Sequence, residues 1–287
     1  MKKTATVYAL YLTMFLVIAN PANSQQAKID SGSLTFLATF DKSPAADFAK
    51  GDNKEVIAED VSRKKFLGRT GIDGVLPYPD GKFGQGIDFR KKTKKVFCYK
   101  AEKNFPYSKD EFDASISFWM KCDLTKLPKG FIDPLQITDK KWNDSSIFVD
   151  FNDKRPADFR LGVFSDLKFW NPDNKDLNKM PPQERPMVDA GRFQFSKDKW
   201  THVALVFEDI NTDKESSSCK LYLDGKLIGD LKRKQKFTWT EKNAYIMLGI
   251  YFVGQLDDFA IFDVALDADQ VRSITNATES LSSLLKN

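Results

Sequence analysis

Along most of the chain, apolar residues alternate with polar ones at a period of two rather than at the 3.6 of an amphipathic helix. This pattern predicts strands over 34–40, 86–89, 95–99, 115–121, 146–151, 159–164 and 200–208, and again over 220–223, 226–231, 244–250 and 255–262. These runs are rich in β-branched and aromatic residues and are bounded by Gly, Pro, Asp and Asn. Asp224 and Gly225 separate two of them, the strongest short-range hairpin signal. Phe118 and Trp119 point to opposite faces of one strand, as do Val203 and Ala204, so these strands belong in the middle of a layered structure. The expected fold is all-β: a two-sheet antiparallel β-sandwich, its sheets about 10 Å apart, with one short C-terminal helix. That helix is expected over 267–274, where Asp267 caps the first turn and Gln270 reaches back as in a capping box.

The first residues read as an export signal. Lys2 and Lys3 precede an apolar run from Val7 to Ala19, and the small residues Ala22 and Ser24 suit cleavage before Gln25. The run is shorter than the roughly 17 to 25 residues that span a bilayer. The expected organisation is therefore a signal peptide over 1–24 and a single sandwich domain over 25–287, its core about 34–274. The product is secreted or periplasmic, with no membrane span after signal removal. Two long irregular stretches, 42–80 and 171–192, interrupt the pattern. The second holds Pro172, Pro181, Pro182 and Pro186, which forbid a continuous helix or a central strand. Loops of this length are usually functional or mobile.

Charge and chemistry exclude more than they assign. The net charge is +4 with both signs mixed, which points to no nucleic-acid partner. Clusters at Arg63–Lys65, Arg90–Lys95 and Lys232–Lys236 suit solvated loops and strand edges, and could also attract a polyanion. The three Cys, at 98, 122 and 219, cannot form a full disulfide framework; Cys98 could pair with Cys122, or all three could be buried free thiols. His202 is the sole His, so multi-His metal chemistry is excluded, and its place within a strand suits a structural role. A retaining glycosidase needs two carboxylates about 5 to 5.5 Å apart, and no strand carries acids at i and i+2 on one face in a recognisable arrangement. Asn276-Ala277-Thr278 fits a glycosylation acceptor.

Six strings in order resemble the laminin-G-like (concanavalin A-like) jelly-roll family of exported bacterial type: Leu34–Asp41, Gly81–Phe89, Ser115–Lys121, Trp200–Phe207, Leu221–Lys226 and Gly254–Asp263 followed by Ala265-Leu266. Laminin-G-like domains often hold a structural calcium ion. The resemblance implies Asp41 and Asp257 as its side-chain ligands, with Asp47 or Asp258, backbone carbonyls and water completing six to eight oxygens. The alternative is that Asp41 ends a strand and Asp257 bonds to backbone amides.

Trp142, Trp170 and Trp239 fall in or near loops, whereas Trp119 and Trp200 read as core. An exposed aromatic face suits a sugar ring. Trp170, beside Asn171 and Asp173, is the leading ligand-binding candidate and Trp142 the second. The expected function is a secreted, non-catalytic binding or interaction module for a glycan or an extracellular protein. The rivals are a carbohydrate-active enzyme, which predicts two facing acids in a cleft, and a structural envelope or extracellular component.

Overall fold

Two antiparallel sheets face each other in the computed structural model, which describes residues 27–68 and 75–286. The segment read as an export signal lies outside the described residues. Strands are numbered in chain order. The first sheet contains β1 (Leu34–Ala38), β2 (Phe48–Ala49), β4 (Val75–Tyr78), β5 (Gly86–Phe89), β7 (Phe112–Lys121), β12 (Thr201–Ile210), β13 (Ser218–Leu223), β14 (Lys226–Lys232) and β16 (Gly254–Phe262). Its order is β14-β13-β12-β7-β16-β1-β2, with β5 pairing the start of β16 and β4 pairing β5. The second sheet contains β3 (Glu55–Ala58), β6 (Val96–Lys100), β8 (Ile132–Lys141), β9 (Asp144–Phe151), β10 (Phe159–Phe164), β11 (Met187–Asp189) and β15 (Tyr245–Ile250). Its order is β11-β10-β9-β8-β15-β6-β3.

Alternation along each strand builds the core between the sheets. Phe36, Phe118, Leu205 and Phe259 come from the first sheet, and Phe97, Ile137, Val149, Phe151 and Ile246 from the second. The β13–β14 turn has Asp224 at φ 48° and Gly225 at φ 74°, the double left-handed backbone that matches the twist of a tight hairpin. In β16 the register breaks between Asp257 and Ala260, with Asp258 at φ 50°. This bulge lets β5 pair one half of the strand and β1 the other.

The outer face of the first sheet is also sealed. Leu37, Val206, Tyr222 and Phe262 pack against Leu266, Val271, Ile274 and Leu281. Val271 and Ile274 lie on α2 (Ala268–Thr275), which follows the short α1 (Leu167–Trp170) and begins with the expected capping box between Asp267 and Gln270. His202 fastens this helix to the sheet. Its Nδ1 lies 2.7 Å from Thr275 Oγ1 and its Nε2 2.9 Å from Ser117 Oγ. Burial pushes its pKa down to about 3, so the ring stays neutral.

All eleven predicted strands are present, and the helix is displaced by one residue. The alternation missed β2, β3, β4, β8 and β11. Strand β8 is the instructive case, because it sits centrally between β9 and β15 yet contains Pro134. The β8–β9 register breaks between Ile132 and Leu135, so Pro134 occupies a bulge where no ladder donor is required. The three Cys are free and buried. Cys98 packs in an outer cluster with Val96, Met247 and Ile250, whereas Cys122 packs in the inter-sheet core. The Cys98–Cys122 pairing raised by the sequence does not form, because the two thiols lie in different layers.

Candidate functional site

The outer face of the second sheet is open. A groove of about 790 Å³ runs along it. Three cross-strand rows on this face lie beneath and beside it. Tyr245, Thr138, Ser146 and Phe164 are successive partners on β15, β8, β9 and β10. Met247, Gln136, Phe148, Gly162 and Met187 form the next row, reaching β11. In the third, Ile250 is paired with Asp133, while Asp150, Arg160 and Asp189 continue along β9, β10 and β11. Asp133 stands in the β8 bulge opposite Asp150, so the irregularity that accommodates Pro134 also aims a carboxyl into the groove.

Gly162 is required here by close approach. A Cβ at this position would meet the Phe148 ring at 2.2 Å, so the absent side chain lets that ring lie flat across β10. Phe148 stacks on Phe164 with centroids 5.3 Å apart and 23° between planes. Trp142 and Trp170 meet Phe164 edge-on at 5.7 and 4.9 Å. The two candidate tryptophans, 28 positions apart in sequence by their numbers, therefore share one aromatic cluster lining the groove. They differ in availability. Trp170 is half-buried and its indole N–H donates to the Asn143 carbonyl at 3.0 Å; Trp142 is 48% exposed. At the far end Phe131 is 50% exposed, with the Arg160 guanidinium 5.7 Å from its ring centre. Trp239, the third loop tryptophan, is instead core: it is buried and donates to the Ser145 carbonyl at 2.7 Å.

The polar floor is tightly organised. Arg160 Nε donates to Asp150 Oδ1 at 2.9 Å and its Nη2 to Asp150 Oδ2, a two-pronged pair. Asp150 is 2% exposed. Burial opposes the Arg160 charge, but the Asp150 hydrogen bond and charge outweigh it and raise the guanidinium pKa. Burial, with the Asp150 charge, holds the Asp133 carboxyl well above the usual carboxylate range. Gln136 adds an amide whose Nε2 donates to Ser146 Oγ at 3.3 Å. The walls come from the two long irregular stretches: residues 61–64 from the first, and 171, 174–178 and 187 from the second.

Asp41 and Asp257 come together elsewhere, at the 81–85 turn. Gln85 N–H donates to Asp41 Oδ1 at 2.7 Å, and Phe83 N–H to Asp257 Oδ2 at 2.9 Å. Gly84, at φ 72°, has no room for a Cβ, which would fall 2.1 Å from Asp41 Oδ1. Burial pushes Asp257 up to about 8 and Asp258 to about 6. Among the described residues no group of three or more His, Cys, Asp or Glu is placed to hold a metal ion. Backbone amides of Gln85, Phe83 and Asp258 thus occupy one Asp41 oxygen and both Asp257 oxygens.

The family model described as the concanavalin A-like lectin/glucanases superfamily, of laminin-G type, matches residues 104–272. The chain belongs to this superfamily. No curated protein sequence matches it. Among solved structures, this laminin-G-like chain is similar to domain 4 of AbnA, a GH43 extracellular arabinanase from Geobacillus stearothermophilus, in complex with arabinotriose. The TM-score is 0.55 at 15% identity, covering 85% of this chain and 98% of that domain. It is also similar to a botulinum neurotoxin type C structure, from work on cell entry dependent on two ganglioside molecules, with TM-score 0.55, 15% identity, and 86% and 51% coverage. The binding domain of botulinum neurotoxin DC, in complex with rat synaptotagmin II, gives TM-score 0.55 at 13% identity, with 86% and 52% coverage. The chain spans about half the length of these toxin structures. At such identities the likeness is one of fold.

Sequence reasoning found the two groove tryptophans but missed Phe131, Gln136, Phe148, Asp133, Asp150 and Arg160. The acids were sought on one strand, whereas Asp133 and Asp150 come from neighbouring strands.

Proposed function

We propose that this chain is an exported, non-catalytic glycan-binding module whose site is the groove on the outer face of the second sheet. One observation carries this reading. Exposed aromatic faces at both ends of the groove, Trp142 and Phe131, flank a floor of fixed polar groups at Asp133, Gln136 and Asp150–Arg160. Aromatic faces take the apolar side of a sugar ring, and carboxyl, amide and guanidinium groups take its hydroxyls. The similar structures with arabinotriose and gangliosides in their names support a binding role for the fold, as does the extracellular setting of the arabinanase. The test is a binding survey of the chain from Gln25 onward against neutral and acidic oligosaccharides. Saturable binding lost in Trp142→Ala, and weakened in Trp170→Ala, is expected. Binding that survives both substitutions moves the ligand elsewhere.

A carbohydrate-active enzyme is the second reading, favoured by two acids meeting in a groove, both with pKa raised by burial. Against it, both Asp150 oxygens are held by Arg160, leaving no free nucleophile or base beside Asp133. Release of reducing ends from any groove-binding polysaccharide between pH 4 and 8, abolished in Asp133→Asn, would establish it.

A calcium ion at Asp41 and Asp257 is a separate proposal. It would need ionised carboxylates plus backbone and water oxygens, so calcium stabilisation should grow as pH rises through about 8, where Asp257 loses its proton. An unchanged melting temperature with calcium at pH 9 removes it.

A further inference from the structure

The groove carries a cation cluster at one end that, among the described residues, no acid meets in an ion pair. Arg63, with left-handed backbone at φ 53°, leans in from the wall formed by the first long loop. Its Nη1 donates to the Val61 carbonyl at 2.8 Å and lies 3.3 Å from Met247 Sδ, and its Nη2 donates to the Lys140 carbonyl at 2.7 Å. All three acceptors are neutral. The carbonyl it grips immediately precedes Lys141 and Trp142, so the guanidinium sits at the foot of the turn that presents the exposed tryptophan.

Six basic and three acidic side chains line the groove. Half of the basic ones are already matched. Lys140 pairs with Asp166 at 3.1 Å, Lys175 with Asp173 at 3.6 Å, and Arg160 with Asp150. Among the described residues, Arg63, Lys64 and Lys141 are in no ion pair. Asp139 acts on Arg63 only at a distance, and Asp60 likewise feels Lys64. A half-buried guanidinium bonded only to neutral groups bears a desolvation cost with no opposite charge to offset it. Burial accordingly lowers its pKa. An arriving anion would restore the missing interaction, and the planar fork of Arg matches a carboxylate or a sulfate in two-pronged fashion.

We propose that the Arg63–Lys64–Lys141 end of the groove is a subsite for an anionic substituent of a glycan, a uronic-acid carboxylate or a sulfate ester, carried by a sugar ring seated on Trp142. This deepens the glycan-binding reading above and rests on it. At the opposite end Asp133 and the Asp150–Arg160 pair leave no unmatched cation, so the anionic group is accepted at one end only, and the bound chain has a defined direction.

The experiment measures affinity of the chain from Gln25 onward for three probes: an oligogalacturonate, a sulfated galactan fragment and an uncharged galactan fragment of equal length. At least one acidic probe should bind ten-fold or more tighter than the uncharged one, and that preference should shrink with added salt. Preference for the uronate marks a carboxylate subsite; preference for the sulfated probe marks a sulfate ester. Arg63→Ala with Lys141→Ala should abolish the preference between acidic and uncharged probes, and Trp142→Ala should weaken all probes. If removal of Arg63 unfolds the protein, Lys64→Ala with Lys141→Ala, both exposed, should still reduce acidic binding several-fold. Equal affinity for charged and uncharged probes, or a preference that survives the basic-residue variants, overturns the inference and spares the groove. Binding of none of the probes, with capture of a protein instead, overturns the glycan reading itself.

Discussion

The two outer faces of this sandwich have opposite fates. On the first sheet the outward residues are Leu37, Ala204, Val206, Tyr222 and Phe262, and α2 with the following turn closes over them. On the second sheet the outward residues are Gln136, Phe148, Asp150, Arg160 and Met187, and they line an open groove. Aliphatic side chains gain most by leaving water, at roughly 25 cal/mol per Å² of apolar area buried. Aromatics interleaved with fixed polar groups can stay exposed and remain ordered, because their partners are internal: Asp150 for Arg160, Asn143 for Trp170. One face is thus given to stability, and the other, left open, is the one proposed for recognition.

The sharpest way to break this contrast is to unseat the cover. Ile274→Ala, at a side chain 2% exposed, should lower stability by about 4 kcal/mol, read from urea unfolding, while glycan affinity well below the melting temperature stays unchanged. A parallel loss of affinity would mean that the two faces are coupled. Next in size is Arg160→Ala, which leaves the Asp150 charge buried and alone and should cost about 3 kcal/mol. Unlike the Ile274 variant, it should also impair the groove. Trp142→Ala comes third: its exposed ring should cost under about 1 kcal/mol of stability but ten-fold or more in affinity. Smallest is Asp267→Ala, which removes the cap of α2 and should cost about 1 kcal/mol, with no change in binding.

Legibility in the sequence followed the same division. The first sheet's middle strands are apolar on both sides, so Phe118–Trp119 and Val203–Ala204 announced their position, and the capping box marked α2 in advance. The second sheet was harder. Pro134 disguised β8, and β3 and β11 are short strands inside the stretches that read as loops. The groove's chemistry was hidden for a different reason. Asp133, Asp150 and Arg160 come from three strands and meet only through cross-strand register, which periodicity along one strand cannot supply. Trp142, Trp170 and Trp239 gave the same signal of an aromatic near a loop, yet Trp239 is core because the Ser145 carbonyl accepts its N–H inside the fold. The proposed anionic subsite lay partly in view as the basic run Arg63–Lys65, but only the structure shows that Arg63 faces the groove with neutral hydrogen-bond partners alone.

The most direct test of the central claim is amide hydrogen exchange of the chain, free and saturated with its best-binding glycan. New protection confined to the groove walls, residues 61–64 and 171–178, and to the turn carrying Trp142 is the predicted result. Protection at the 81–85 turn or along α2, with the groove walls unchanged, would contradict it.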